Sequence, residues 1–141
     1  MAAQENAQKQ DRRSEEDWRK VLTAEQFHVL REHGTERPGT SRLNVEKRDG
    51  TFVCAGCGAS LFSSDTKFES GTGWPSFRAP LENAIGTSAD DSLFMRRVEV
   101  HCARCGGHLG HVFEDGPPPT GLRYCMNGIA LEFKPEGPQQ P

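Results

Sequence analysis

Four of the chain's five cysteines fall into two Cys-x-x-Cys pairs, Cys54/Cys57 and Cys102/Cys105, about 45 residues apart. No other feature restricts the fold as much. Two thiolates on one tight turn reach a single ion at about 2.3 Å, and two such turns complete the tetrahedral four-sulfur set that zinc takes in structural sites. Glycine follows each pair (Gly58; Gly106 and Gly107), letting the backbone turn sharply around an ion. The separation is too long for a single zinc finger, so the expected ion clamps two separate hairpins. Two other readings stand beside this one. All five cysteines could be reduced and packed as small hydrophobes, or some could form disulfides, which an odd count and the lack of secretory features disfavour. In the zinc reading Cys125 is left over, within Arg123-Tyr124-Cys125-Met126-Asn127, and is free for chemistry.

At 141 residues the chain is expected to form one domain with a modest core. Polar tracts at 1–17, 34–50, 115–121 and 134–141 leave about ninety residues to build that core, so a metal staple would help. Net charge is −3 with no basic block, which argues against electrostatic binding to nucleic acid or anionic membrane. The first twenty residues mix acids with bases and contain no apolar run, unlike a signal or transit peptide, and no stretch approaches membrane-spanning length. The expectation is a soluble, cytoplasmic monomer in a reducing compartment. Residues 1–13 are expected to form a disordered leader, 14–135 a single domain and 136–141 a flexible tail.

Ser14 with Asp17 marks a helix start, and Thr23 with Gln26 predicts a capping box opening a helix from Ala24 to about His33, ended by Gly34. From there on Gly and Pro recur every few residues and the apolar pattern becomes short and alternating, which predicts β-sheet. Strands are expected at 51–54, 61–62, 67–69, 77–79, 93–102, 110–113, 122–125 and 129–133. Phe94, Val98 and Val100 would share one face, as would Ile129, Leu131 and Phe133. Asn127-Gly128 reads as a type I′ hairpin turn, although its amide could point into a site. Residues 115–121, rich in proline, form a loop that leads into the Cys125 strand.

A lone cysteine attacks only as its thiolate, so it needs a nearby cation, hydrogen-bond donors or a metal. Arg123 is two residues away on the same strand face, and His108 and His111 lie in Gly107-His108-Leu109-Gly110-His111-Val112-Phe113. Imidazole can both stabilise a thiolate and hand over a proton. Asp115 could orient a histidine or pair with Arg123. His28, His33 and His101 read as structural or solvent-exposed. In Gly71-Thr72-Gly73-Trp74-Pro75-Ser76-Phe77, Trp74 is either a core residue at a corner or an aromatic wall for an apolar ligand group.

Gly73-Trp74-Pro75-Ser76-Phe77, His108-Leu109-Gly110-His111-Val112-Phe113, Arg123-Tyr124-Cys125-Met126-Asn127 and the two Cys-x-x-Cys pairs, in this order, resemble the B-type methionine sulfoxide reductases. The likeness covers roughly residues 15 to 135. It implies a mainly β fold of two antiparallel sheets, Mss4-like, with short N-terminal helices and one structural zinc on Cys54, Cys57, Cys102 and Cys105. It implies reduction of the R epimer of methionine sulfoxide in oxidised proteins or peptides, with Cys125 as nucleophile and a sulfenic acid left on it. His108, His111 and Asn127 match the family's proton donors and positioners, Arg123 and Asp115 the groups that support the thiolate. Trp74, Phe113 and the His111 ring match the enclosure of the substrate's methyl group.

Many family members carry a second cysteine where this chain has Thr72. The expectation is therefore recycling of Cys125 by an external thiol: thioredoxin, glutaredoxin with glutathione, or another small thiol. A zinc-stapled binding module of the same fold is the rival, but it has no use for a lone cysteine beside paired histidines. A zinc-ribbon nucleic-acid binder is disfavoured by the charge balance, and a redox sensor would differ in lacking turnover.

Overall fold

A computed structural model of the chain describes residues 13–91 and 96–136. The expected leader up to residue 12, the tail from 137 and residues 93–95 of an expected strand, Phe94 among them, lie outside the described residues.

The two helices begin where their caps place them. In α1 (Glu15–Val21) the Ser14 hydroxyl accepts the Asp17 amide at 3.2 Å. In α2 (Ala24–Glu32) the Gln26 amide donates to Thr23 Oγ1 at 3.1 Å while the Thr23 amide donates to Gln26 Oε1 at 2.9 Å, a reciprocal capping box. The end of α2 differs from expectation, because His33 and not Gly34 takes the left-handed conformation, at φ 59°. Gly34 instead lies close to the His28 ring: a Cβ there would stand 2.3 Å from it, and that side chain would have to move aside.

Two antiparallel sheets follow. Strands β1 (Gly50–Cys54), β2 (Ser60–Ser63) and β9 (Leu131–Pro135) form one, in the order β2-β1-β9. The other holds β3 (Lys67–Phe68), β4 (Ser76–Phe77), β5 (Ile85–Asp90), β6 (Arg97–Cys102), β7 (His108–Phe113) and β8 (Arg123–Met126), in the order β3-β4-β8-β7-β6-β5. An aromatic cluster joins them. Phe62 stacks on Phe77 with ring centroids 4.3 Å apart, and Phe52 meets Phe77 edge-on at 5.0 Å, all three fully buried. Burial of each such ring contributes about 1.5–3 kcal/mol, so this cluster is a main bond between the layers.

Three expectations need correction. β5 was not foreseen: its sequence IGTSAD is small and polar, and as an edge strand it lacks the alternation of large apolar residues. Residues 128–130 form a 3-10 turn, so the last strand begins at Leu131 rather than Ile129. Asn127 has extended backbone, with no I′ hairpin; Gly128 is required because a Cβ there would lie 2.0 Å from Ser41 Oγ.

Candidate active site and metal centre

The Cys54–Cys57 knuckle joins β1 to β2, and the Cys102–Cys105 knuckle joins β6 to β7, so each belongs to a different sheet. In both, the glycine after the turn takes positive φ (Gly58 83°, Gly106 77°) and donates its amide to the carbonyl of the first cysteine, at 2.9 and 2.8 Å. Amides also point at sulfur: Gly56 N–H at Cys54 Sγ and Gly107 N–H at Cys105 Sγ, both 3.4 Å. The four sulfurs lie within 4.8 Å of one another, with Cys54 to Cys105 at 3.7 Å and Cys57 to Cys102 at 3.6 Å. A tetrahedron with metal–sulfur bonds of about 2.3 Å has edges of about 3.8 Å, so this set could hold one metal ion with no position left open. Thiol hydrogen bonds from Cys102, Cys105 and Cys54 hold Cys57 below the ordinary thiol range, and similar bonds from Cys105 and Cys54 bring Cys102 to about 7. The helices roof the centre: Trp18 packs over Gly56, Leu30 over Gly107, and Arg31 donates to the Cys105 carbonyl at 3.1 Å.

Cys125 sits elsewhere, on β8 in the six-stranded sheet. Strand pairing sets Ser88, Glu99, His111, Cys125 and Ser76 as successive partners on β5, β6, β7, β8 and β4. Residues paired in register share a face, so these five form a polar row across the sheet. The opposite face carries Phe77, Val100 and Met126 into the core.

A β-bulge brings the second histidine to this row. Val100 pairs with Gly110 but His101 pairs with His108, which leaves Leu109 as an extra residue in β7. Residues three apart on a regular strand face opposite ways; the bulge reverses that, and the His108 and His111 rings meet edge-on at 5.4 Å.

Both histidines are buried, and each meets a carboxylate: His108 Nδ1 lies 2.8 Å from Glu99 Oε2, and His111 Nε2 lies 2.8 Å from Asp90 Oδ2. Burial holds His108 below its ordinary value despite Glu99. For Glu99 burial pushes upward, but hydrogen bonds from His108 and Ser88 outweigh it and leave the carboxyl low. Asp115, which the sequence offered to a histidine or to Arg123, pairs with Arg123, in a two-pronged contact at 2.8 and 3.1 Å. The Arg123 guanidinium lies over the Phe113 ring at 4.5 Å.

Burial raises the Cys125 thiol above its ordinary value, while the Arg123 charge and hydrogen bonds from Thr72, Ser76 and Arg123 pull downward without prevailing. The net effect favours the protonated thiol at Cys125. Phe113 and His111 are ring neighbours at 6.4 Å. Trp74 stands two residues before Ser76, fixed by its indole N–H donating to the Glu36 carbonyl at 3.0 Å, and lines a groove of about 520 Å³ with Ser70, Gly71 and Pro75. Asn127 is buried, its amide donating to the Leu109 carbonyl at 3.0 Å and its oxygen accepting the Glu36 N–H at 2.9 Å. It thus ties the bulge to the segment that fixes Trp74.

Glu99, Asp90 and His33 are the site residues that sequence reasoning missed. The one available signal was Glu99 standing between Val98 and Val100, a charge on the alternate face of an apolar strand.

A SelR domain matches residues 22–135. This chain belongs to that family, the B-type methionine sulfoxide reductases. Curated relatives named peptide methionine sulfoxide reductase MsrB include those of Methanosarcina barkeri, 60% identical over 131 residues and covering 92% of each chain, and Methanosarcina mazei, 58% identical over 92% of this chain and 94% of the relative. The corresponding protein of Leptospira interrogans is 55% identical over 88% of this chain and 95% of its own. The SelR span includes both knuckles, the bulge and Cys125. Among the described residues no helix is long and apolar enough to cross a membrane.

Proposed function

We propose that this SelR chain reduces the R epimer of methionine sulfoxide in proteins by a one-cysteine mechanism, in a cytoplasmic, reducing setting and as a monomer. The observation that carries it is the position of Cys125 between His111 and Ser76, beside Arg123, while the other four cysteines are gathered in one cluster. Cys125 attacks the sulfoxide sulfur, the S–O bond breaks, and oxygen passes to Cys125 as a sulfenic acid while methionine leaves. A sulfoxide sulfur is a poor electrophile until its oxygen is protonated, so His108 and His111 serve as proton carriers. Asn127 holds the bulge that aims them. Arg123, positioned by Asp115, favours the forming thiolate. Trp74, Phe113 and the His111 ring enclose the methyl group, and this rigid enclosure selects one epimer.

With Thr72 where many relatives resolve the sulfenic acid, an external thiol (thioredoxin, glutaredoxin with glutathione, or another) reduces Cys125. The cysteine cluster holds one structural zinc, which braces the fold and takes no part in the redox step. The test is single-turnover reduction of peptides bearing R- or S-methionine sulfoxide, by wild type and Cys125→Ser, without and then with dithiothreitol. One equivalent of methionine from the R epimer alone, dependent on Cys125 and catalytic only with thiol, is expected. No methionine from folded, zinc-loaded protein would overturn the reading.

A further inference from the structure

The reaction moves one proton. Cys125–SH and the sulfoxide become Cys125–SOH and methionine; Cys125 loses two electrons, the substrate sulfur gains them, and the thiol proton ends on the transferred oxygen. A group near Cys125 can carry that proton, and the His108 ring lies 5.4 Å from that of His111, the β7 partner of Cys125. His108 is suited to do so only if its free nitrogen is a bare lone pair and faces the reaction. One ring nitrogen, Nδ1, is committed to Glu99, whereas Nε2 is buried and, among the described residues, has no hydrogen-bond partner. A buried polar atom left unpaired is uncommon and calls for an explanation, of which a catalytic role is one.

Glu99 is held from three sides. Its Oε1 accepts the Ser88 hydroxyl at 2.8 Å, and its Oε2 lies 2.8 Å from His108 Nδ1 and 3.2 Å from Nε2 of exposed His33. The His33 and His108 rings are 5.2 Å apart, so His33 closes this carboxylate off at the end of α2, in the left-handed turn noted above. Glu99, His33, His108 and His111 line one cavity of about 560 Å³ with Asp90 and Arg97.

We propose that Glu99 is a positioning residue of the reductase: it fixes His108 as the Nδ1–H tautomer, so that Nε2 takes the Cys125 proton and delivers it to the sulfoxide oxygen. The proposal rests on the reductase reading above. An orienting carboxylate of this kind acts through the imidazole, never on substrate, and its removal leaves the ring free to choose the wrong tautomer. His33 shares the carboxylate and limits its movement. Removing the Glu99 charge also makes His108 harder to protonate, which shifts any acid limb due to His108 to lower pH. The other titratable groups acting on this ring are His33 from the end of α2 and His111 from its own strand, and Asp90 from β5 and Arg97 from β6 line the same cavity.

The test compares wild type with Glu99→Gln, which keeps the side chain's shape, in imidazole ¹⁵N NMR and in the pH profile of the first-turnover rate. Wild type should show His108 with the proton on Nδ1. Glu99→Gln should keep its zinc and fold, lose the single tautomer, slow the first turnover about tenfold or more and move the acid limb down. A wild-type spectrum with the His108 proton on Nε2, or a Glu99→Gln rate and profile equal to wild type, overturns the proposal. Should Glu99→Gln fail to fold, the wild-type spectrum and the milder His33→Gln decide: an unchanged His108 tautomer with an unchanged limb in His33→Gln removes His33 from the assignment, and an Nε2–H wild type removes Glu99. Wild type that makes no methionine while showing the Nδ1–H tautomer would instead sink the reductase reading.

Discussion

Thr72 is near enough to Cys125 for its hydroxyl to hydrogen-bond the sulfur, and its Oγ1 also accepts the Trp74 amide at 3.3 Å. If Cys125 passes through a sulfenic acid, as proposed, a residue so placed decides whether recycling is internal or external. Thr72→Cys puts a second thiol where the hydroxyl was, within reach of the sulfenic acid. After one turnover with R-sulfoxide and no added thiol, peptide mapping should find a disulfide joining position 72 to Cys125; wild type should show no disulfide involving Cys125. A Thr72→Cys protein that turns over yet leaves both sulfurs unlinked would contradict the placement. Cys125 itself was legible because four of five cysteines paired off by spacing alone. Glu99 and Asp90 were not, because what brings them to the histidines is strand pairing over 9 and 21 residues of chain, and Asp115 was the nearer carboxylate in sequence.

Between β7 and β8 the backbones approach closely at Gly110, where an added Cβ would stand 2.1 Å from the Cys125 carbonyl oxygen and 2.9 Å from Met126 Cα. Both obstacles are backbone, so the strands must part. Gly110→Ala should cost about 1–3 kcal/mol, as overpacking does, and should cut first-turnover rate more than substrate affinity, because it shifts Cys125 relative to His111. Gly86→Ala is the control: there the Cβ meets the His101 ring at 2.5 Å, a side chain that can swing away. Equal thermal shifts and equal rates in the two variants would refute the argument. At this scale the helices were legible from their caps and most strands from alternation. β5 was hidden by its small polar residues, and the bulge by Leu109, which fits the apolar pattern of a regular strand. Only the pairing with β6 shows Leu109 to be the extra residue.

At the level of the whole molecule, the cysteine cluster that could hold a metal takes two sulfurs from a hairpin of each sheet, with α1 and α2 packed over it. Losing an ion held there would therefore remove a clamp shared by both sheets and the helices. Structural zinc in small domains contributes roughly 10 kcal/mol or more, comparable to the whole stability of a typical domain at about 5–15 kcal/mol. Cys54→Ser should accordingly lose zinc and cooperative melting together, and full stability without metal would contradict the clamp. Acid attacks the same fold by a second route. Burial holds His108 below its unfolded value, so the unfolded chain binds a proton that the folded one declines. Stability from this group is whole above the unfolded pKa of about 6.5 and falls, by up to about 1.4 kcal/mol per pH unit, as pH drops toward the folded value. Glu99, also lowered, acts in the same direction at more acid pH, and protonation of the four sulfurs would expel a zinc bound there. Because zinc loss and His108 protonation differ in origin, melting followed from pH 7 to 5 should show a decline even where zinc content stays constant. A melting temperature that is flat over that range at constant zinc would show that His108 is not held neutral by the fold.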